Sequence, residues 1–444
     1  MKQNLRTFYI LIVTQTFSQI GSKISGLALG IYIFHQTGQV TPLALVSLFS
    51  FLPQVVAAGF AGALADRWDR RLVMNIADGG QALGSLLLLI LFLSGAFQVW
   101  MLYVIVFLQA IFGVFQAPAF SASVTMLIPD NQRDRANAIQ QLTGPSAGVI
   151  APAVAGLLYA LIGVAGTIAF DLVSFIVAII VVYLSKIPRP PQTEIGKQMQ
   201  GSLLKESFGG LQFLWQWRTL LALMLESALI NFLFSGATIL FTPYILARTG
   251  SEATLGTLLS ILDLGAIIGG VIIGVWGGTK PRIHTILPAI IIGGAFLAVI
   301  GLAQSPVVMA LAMFLMMLPL PMANAVSMSL MQAKVPPDIQ GRVFAATGQM
   351  AMVLIPLSYL LIGPLSDQVV EPAVGKAGWQ TVAPLVGSSA GSGYALLILI
   401  AGVIVAISSA LVYAIPRIRR MEFELPDYVA QPAETKIEAV ELAA

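Results

Sequence analysis

The sequence predicts an all-α polytopic membrane protein with twelve transmembrane helices arranged as two parallel six-helix repeats. Three observations predict it. First, 57% of the 444 residues are hydrophobic and only 10% are charged, whereas soluble domains run near ~25% charged. Second, the apolar runs have helix length, and the alternating ten-residue segments of a membrane barrel are absent. Third, the basic residues sort almost entirely to one side of a twelve-span arrangement.

The spans are expected at 8–35, 41–64, 72–96, 99–124, 136–162, 166–187, 218–247, 254–278, 283–303, 306–331, 342–367 and 392–415. They divide the chain into a first bundle (1–187), a linker (188–217), a second bundle (218–415) and a tail (416–444). The first run follows Lys2 and Arg6 as a signal peptide would. It is too long for a signal core and lacks a small-residue cleavage site, so a retained helix is expected. The linker opens on Pro188-Arg189-Pro190-Pro191, and 202–217 has the apolar spacing of an interfacial amphipathic helix. The tail carries Glu422, Glu424, Asp427, Glu434, Glu438 and Glu441 and is expected to be solvated and disordered. Lys and Arg in short loops resist translocation, so both termini are expected in the cytoplasm. Only Arg248 and Lys376 fall in opposite-side loops, and Lys23 falls inside a span.

The two halves repeat. Tyr32-Ile33-Phe34-His35-Gln36-Thr37-Gly38 matches Tyr244-Ile245-Leu246-Ala247-Arg248-Thr249-Gly250 at the end of the seventh span. Ile128-Pro129 followed by Arg135 matches Val335-Pro336 followed by Arg342, and Gly156 falls opposite Gly363. Each match pairs a helix with its counterpart six spans later, in the same orientation. That is a parallel repeat.

An ionisable group inside a span costs ~2.5–3.5 kcal/mol on insertion scales, so each one calls for a reason. The first span presents Gln15, Gln19 and Lys23 at four-residue steps, one polar stripe on an apolar helix. By the repeat it corresponds to Ser227, Asn231 and Ser235 in the seventh span. Such stripes face either other helices or water in a central cavity; the plainer alternative is interhelical hydrogen bonding with Lys23 snorkelling outward. Asp263 sits mid-span between Leu262 and Leu264, where a carboxyl can take up and release a proton near neutral pH. Glu226 is the second candidate for proton coupling, or else the partner of a basic loop residue. Asp78 is close enough to Arg70 and Arg71 to pair with them, and Asp171 is expected to be structural. In the fifth span Gly148, Pro152 and Gly156 recur at four-residue spacing, which allows tight helix contact.

The loop after the second span reads Gly62-Ala63-Leu64-Ala65-Asp66-Arg67-Trp68-Asp69-Arg70-Arg71. It resembles the Gly-x-Leu-x-Asp-Arg-x-x-Arg-Arg loop between helices two and three of the major facilitator superfamily. Gly62, Leu64, Asp66, Arg67, Arg70 and Arg71 match it, with Asp78 close by and Arg342 at the start of the eleventh span. The resemblance implies a conformational latch; the residues alone allow a loop that only fixes orientation. Ser18-Gln19-Ile20-Gly21-Ser22, Arg135-Ala136-Asn137-Ala138 and Gln340-Gly341-Arg342-Val343-Phe344 are similar to the group of drug/proton antiporters that includes macrolide-efflux and enterobactin-export proteins. That group implies alternating access, with helices one and seven lining the cavity. Its Gly-Pro pattern is degenerate here, with Ala151-Pro152 and Ala155-Gly156 standing in. Gln109 stands four residues before Gly113, where larger antiporter groups carry Arg, so their Arg-based proton route does not carry over.

The expected function is proton-coupled export of a small amphipathic compound from the plasma (inner) membrane of a prokaryote, in contact with membrane lipid, by a monomer. A lysophospholipid flippase or siderophore exporter shares the architecture, and a membrane scaffold or sensor is the other class. No enzyme activity or cofactor is expected. The chain has no cysteine and only two His, far apart, which resemble no metal set. The net charge of +3 sits in short loops and is no nucleic-acid signature. A phosphate-binding Gly-x-x-x-x-Gly-Lys loop is lacking, which disfavours direct ATP drive.

Overall fold

The computed structural model of the protein describes residues 5–128, 132–185, 218–335 and 340–424. The linker 188–217 and the tail beyond 424 lie outside the described residues, as do the side chains of 57–67, 133–135 and 341–342. Among the described residues there is no strand, and nine helices are long and apolar enough to cross a membrane. One of them, Ile139–Leu184, is 46 residues long and holds two spans. Leu5–Thr37 and Thr41–Arg67 complete twelve.

Local chemistry sets the helix ends. Asp69 caps the third span (Arg70–Leu93), its Oδ1 accepting the Arg71 N–H at 3.0 Å. Ser251 caps the eighth (Glu252–Trp276), its Oγ accepting the Thr254 N–H at 3.2 Å. Such caps satisfy N–H groups that have no partner in the helix itself. The fourth span is Val99–Leu127, the seventh Arg218–Thr249, the ninth Ile283–Leu302 and the twelfth Ser392–Ala414.

Three boundaries differ from the sequence expectation. The fifth and sixth spans form one stretch, Arg133–Leu184, interrupted only at Gly163 (φ 66, ψ −175), a backbone region open essentially to glycine alone. The tenth span breaks into Pro306–Met317 and Leu320–Lys334 around Pro319 and Pro321, which lack the N–H that a continuous helix needs. The eleventh breaks into Gln340–Met352 and Ile355–Pro364 and runs on as a wide turn, Leu365–Val370.

The expected free tail is corrected in its first residues. Pro416–Arg419 and Met421–Glu424 are helical turns, with Ile418 and Met421 buried. Glu422 holds them down: its Oε1 accepts the Ile283 N–H at 3.0 Å, its Oε2 lies 3.6 Å from Arg282, and its carbonyl accepts Lys334 Nζ at 2.9 Å.

The repeat is visible atom by atom. Gly38 and Gly250 both take positive φ, 64° and 61°. Each donates its N–H to the carbonyl four residues back at 2.8 Å, Phe34 and Leu246. Thr37 and Thr249 both turn their hydroxyls back to the helix at 2.8 Å. Ile128 and Val335 end the fourth and tenth spans in nearly the same extended conformation. Between the halves, the fifth span lies along the eighth and the eleventh along the second.

Candidate functional site

Each half carries a cavity. The larger, about 880 Å³, is walled by the first six spans, and both Gln15 and Gln19 line it. Behind its surface runs a continuous set of hydrogen bonds. Gln15 Nε2 donates to Asp78 Oδ2 at 3.1 Å and Gln116 Nε2 to Gln15 Oε1 at 2.8 Å, while Gln116 also donates to Asp78. Gln81 Nε2 donates to Gln116 Oε1 at 3.0 Å, and Gln109 Nε2 donates to the Gln81 carbonyl at 2.9 Å and to Ser85 Oγ at 3.2 Å. Ser85 and Ser22 then give their hydroxyls to the two oxygens of Asp171, at 2.7 and 3.0 Å. Asp78 and Asp171 are both buried. Every donor that reaches them here is a neutral amide or hydroxyl.

This corrects one expectation. Asp78 receives Gln15 and Gln116; Arg71 instead bonds the Tyr183 carbonyl and stacks 4.9 Å from that ring's centre. Asp171 lines the cavity and joins its polar wall. Asp78, Gln81 and Ser85 share one face of the third span at three- and four-residue steps, and Gln109 and Gln116 are seven apart on the fourth. Those spacings were the available signal.

The second cavity, about 390 Å³, is walled by the last six spans and lined by Ser227, Asn231, Ser235 and Glu226. The second stripe therefore faces a hollow, as Gln15 and Gln19 of the first do. Asn231 Nδ2 also donates to the Ser227 carbonyl at 2.9 Å. Among the described residues Glu226 meets no basic loop residue. Its Oε1 accepts the hydroxyls of Ser408 and Ser409, at 3.0 and 2.7 Å, from the twelfth span.

Lys23 and Asp263 line neither cavity; both lie against the fifth span at the seam between the halves. Lys23 Nζ reaches the Gly144 carbonyl at 3.5 Å and lies close enough to Asp263 to interact with its charge. A methyl on Gly148 would come within 2.6 Å of Asp263 Oδ2. One turn on, Pro152 sets its carbonyl against Gly256, and Gly156 rests on the Glu252 carbonyl, leaving no room for a Cβ at either glycine. Ser260 Oγ accepts the Ala153 N–H at 3.0 Å, and His35 Nε2 lies 3.6 Å from Glu252 Oε1. These contacts gather toward the end of the bundle opposite the chain termini.

The side chains of Asp66, Arg67 and Arg342, and the surroundings of Gly62, lie outside the described residues. Arg70 opens the third span behind its Asp69 cap. Among the described residues no group of three His, Cys, Asp or Glu is placed to hold a metal ion.

Residues 11–359 match the model of the Major Facilitator Superfamily. Among similar curated proteins, macrolide efflux protein A of Streptococcus pyogenes is 29% identical over 370 residues, 82% of this chain and 90% of that protein. The multidrug efflux pump Tap of Mycolicibacterium fortuitum is 26% identical over 357 residues, 78% of this chain and 86% of that one. Solved structures share the fold at lower identity. A bacterial homologue of the human lysosomal transporter Spinster, inward-facing and occupied, aligns with TM-score 0.72 at 14% identity over 97% of this chain and 100% of that one. The nucleoside transporter NupG aligns with TM-score 0.65 at 13% identity over 92% of this chain and 99% of the other.

Proposed function

We propose, given that the chain belongs to the Major Facilitator Superfamily, that it is a secondary exporter of amphipathic organic compounds of macrolide or drug type. Protons entering the cell drive it, and the two halves alternate access to the cavities they carry. Efflux proteins among its relatives support the substrate class.

One observation carries the coupling. Lys23 of the first half bonds the Gly144 carbonyl, and Asp263 of the second packs against Gly148 one turn on, near enough for the two charges to interact. A proton on Asp263 removes one charge of that pair and weakens the hold between the halves at that point. With both termini in the cytoplasm, closure at the opposite end makes this the inward-facing state. The loop from Gly62 to Arg71, with Arg342, serves as the latch for the other state. Asp66→Ala is then expected to stall cycling while insertion into the membrane is kept.

Purified protein in liposomes tests the reading. An imposed proton gradient is expected to drive accumulation of a macrolide or cationic dye. Accumulation that ignores the gradient would remove proton coupling, and the absence of any counterflow would remove export.

A further inference from the structure

Glu226 poses a problem that the export reading leaves open. It is only 7% exposed. Ser408 and Ser409 both bond its Oε1, whereas its Oε2 takes no hydrogen bond among the described residues and the side chain lines the 390 Å³ cavity. A carboxylate oxygen that takes no protein hydrogen bond and opens onto a cavity is free to receive a cation there. The described cations on the surrounding elements are engaged elsewhere. His284 Nδ1 is bonded to the Tyr413 hydroxyl at 2.9 Å, and Lys334 to the Glu422 carbonyl at 2.9 Å. Arg282 lies 3.6 Å from the Glu422 carboxylate, and Arg248 bonds Ser389 and Val386 at the opposite end of the seventh span. The side chains of Arg218 and Arg342 lie outside the described residues.

The rest of the wall suits the body of an organic cation. Met224, Met317 and Met331 supply unbranched, polarizable surface that adapts to irregular shapes, and Phe234 supplies a ring face. Asn231 and Asn324 are the polar groups nearest in kind to an orienting pair. The volume is at the low end for ligand pockets, roughly 300–1,000 Å³, enough for a charged head and part of an apolar body.

We infer that this cavity is the subsite for the positively charged end of the transported compound: an alkyl or aryl ammonium pairs with Glu226 Oε2 while its apolar part lies on the methionines and Phe234. The inference rests on the export reading and adds to it a requirement for charge. It gives the two carboxylates of the second half separate tasks, Glu226 for the cargo and Asp263 for the seam.

The test uses a tertiary alkylamine and its uncharged carbon isostere, measured for binding to the purified chain and for counterflow in liposomes without an ion gradient. The wild type is expected to bind the amine at least tenfold more tightly than the isostere. Glu226→Gln keeps an acceptor for the two serine hydroxyls but carries no charge; it is expected to lose the preference while binding the isostere unchanged. A preference retained in Glu226→Gln, or absent from the wild type, overturns the inference. A second measurement needs no variant. Modification of Glu226 by a carbodiimide, read by mass spectrometry, should be slowed by the amine and not by the isostere; equal rates overturn the inference too. If the wild type binds the amine selectively but moves neither compound, the export reading fails and the subsite stands. If it moves both equally, the subsite fails and export stands.

Discussion

Asp367, on the turn after the eleventh span, caps the second span of the other half at Thr41. Its Oδ1 accepts the Val40 N–H at 2.8 Å, and its Oδ2 accepts the Thr41 N–H at 2.7 Å and the Thr41 hydroxyl at 2.6 Å. Beside it, a Cβ on Gly363 would fall 2.6 Å from Thr41 Cα. The repeat makes this contact one-sided. Gly156 is the counterpart of Gly363 and rests on the start of the eighth span in the same way. Ala160 stands where Asp367 would correspond, and the eighth span is capped by its own Ser251. One helix start is satisfied from within its half and the other only while the halves touch.

Removing that borrowed cap is expected to loosen the second span locally. A lost helix cap costs about 0.5–2 kcal/mol, and each 1.4 kcal/mol is a factor of about ten. Asp367→Ala should therefore speed amide hydrogen exchange at Val40 and Thr41 by roughly 2- to 30-fold, with exchange at Thr254 unchanged. Asp367→Asn, which keeps an acceptor, should fall between. Unaltered exchange in Asp367→Ala would show that the cap is not held in the membrane.

Gly256→Val is expected to hold the seam apart, because its side chain runs into the Pro152 carbonyl. Overpacking a close contact costs about 1–3 kcal/mol. The native chain has no cysteine, so a single cysteine replacing Gln19 in the cavity wall reports access cleanly. Its labelling by an impermeant maleimide added outside should rise in the Gly256→Val background and stay low without it.

Asp263→Asn is expected to abolish gradient-driven accumulation by tenfold or more while counterflow without a gradient persists. Proton-driven transport that survives in the variant would return Asp263 to a packing role against Gly148.

Asp171→Ala leaves the Ser85 hydroxyl without its acceptor in a buried wall, while Ser22 keeps the Ser18 carbonyl. An orphaned buried polar group costs about 1–3 kcal/mol, so the melting temperature in detergent should fall by several degrees. Asp171→Asn, which still accepts a hydroxyl, should fall by less. Equal stability of the alanine variant and the wild type would count against the network.

The twelve helices, the doubling and the two polar stripes were legible because each is local: run length, charge in short loops, and four-residue spacing on one helix. Lys23, Asp263, Gly148 and Gly156 were legible as unusual residues, but their gathering at the seam was not, since it joins spans that lie far apart in the chain. Asp78 departs from the expected ion pair because its donors lie on the first and fourth spans. A carboxylate close in sequence to Arg70 and Arg71 suggests an ion pair until the helix face it occupies is known. Asp367 lay near the expected end of its span, and nothing in the sequence around it points to a helix start in the opposite half.

The turn at Gly163 leaves no slack between the fifth span and the sixth. The fifth carries the glycines pressed against the eighth; the sixth carries Asp171 in the cavity wall. A tilt imposed at one arm is therefore handed to the other as a crank transmits torque, so the polar wall of the first cavity is tied to the contact between the halves.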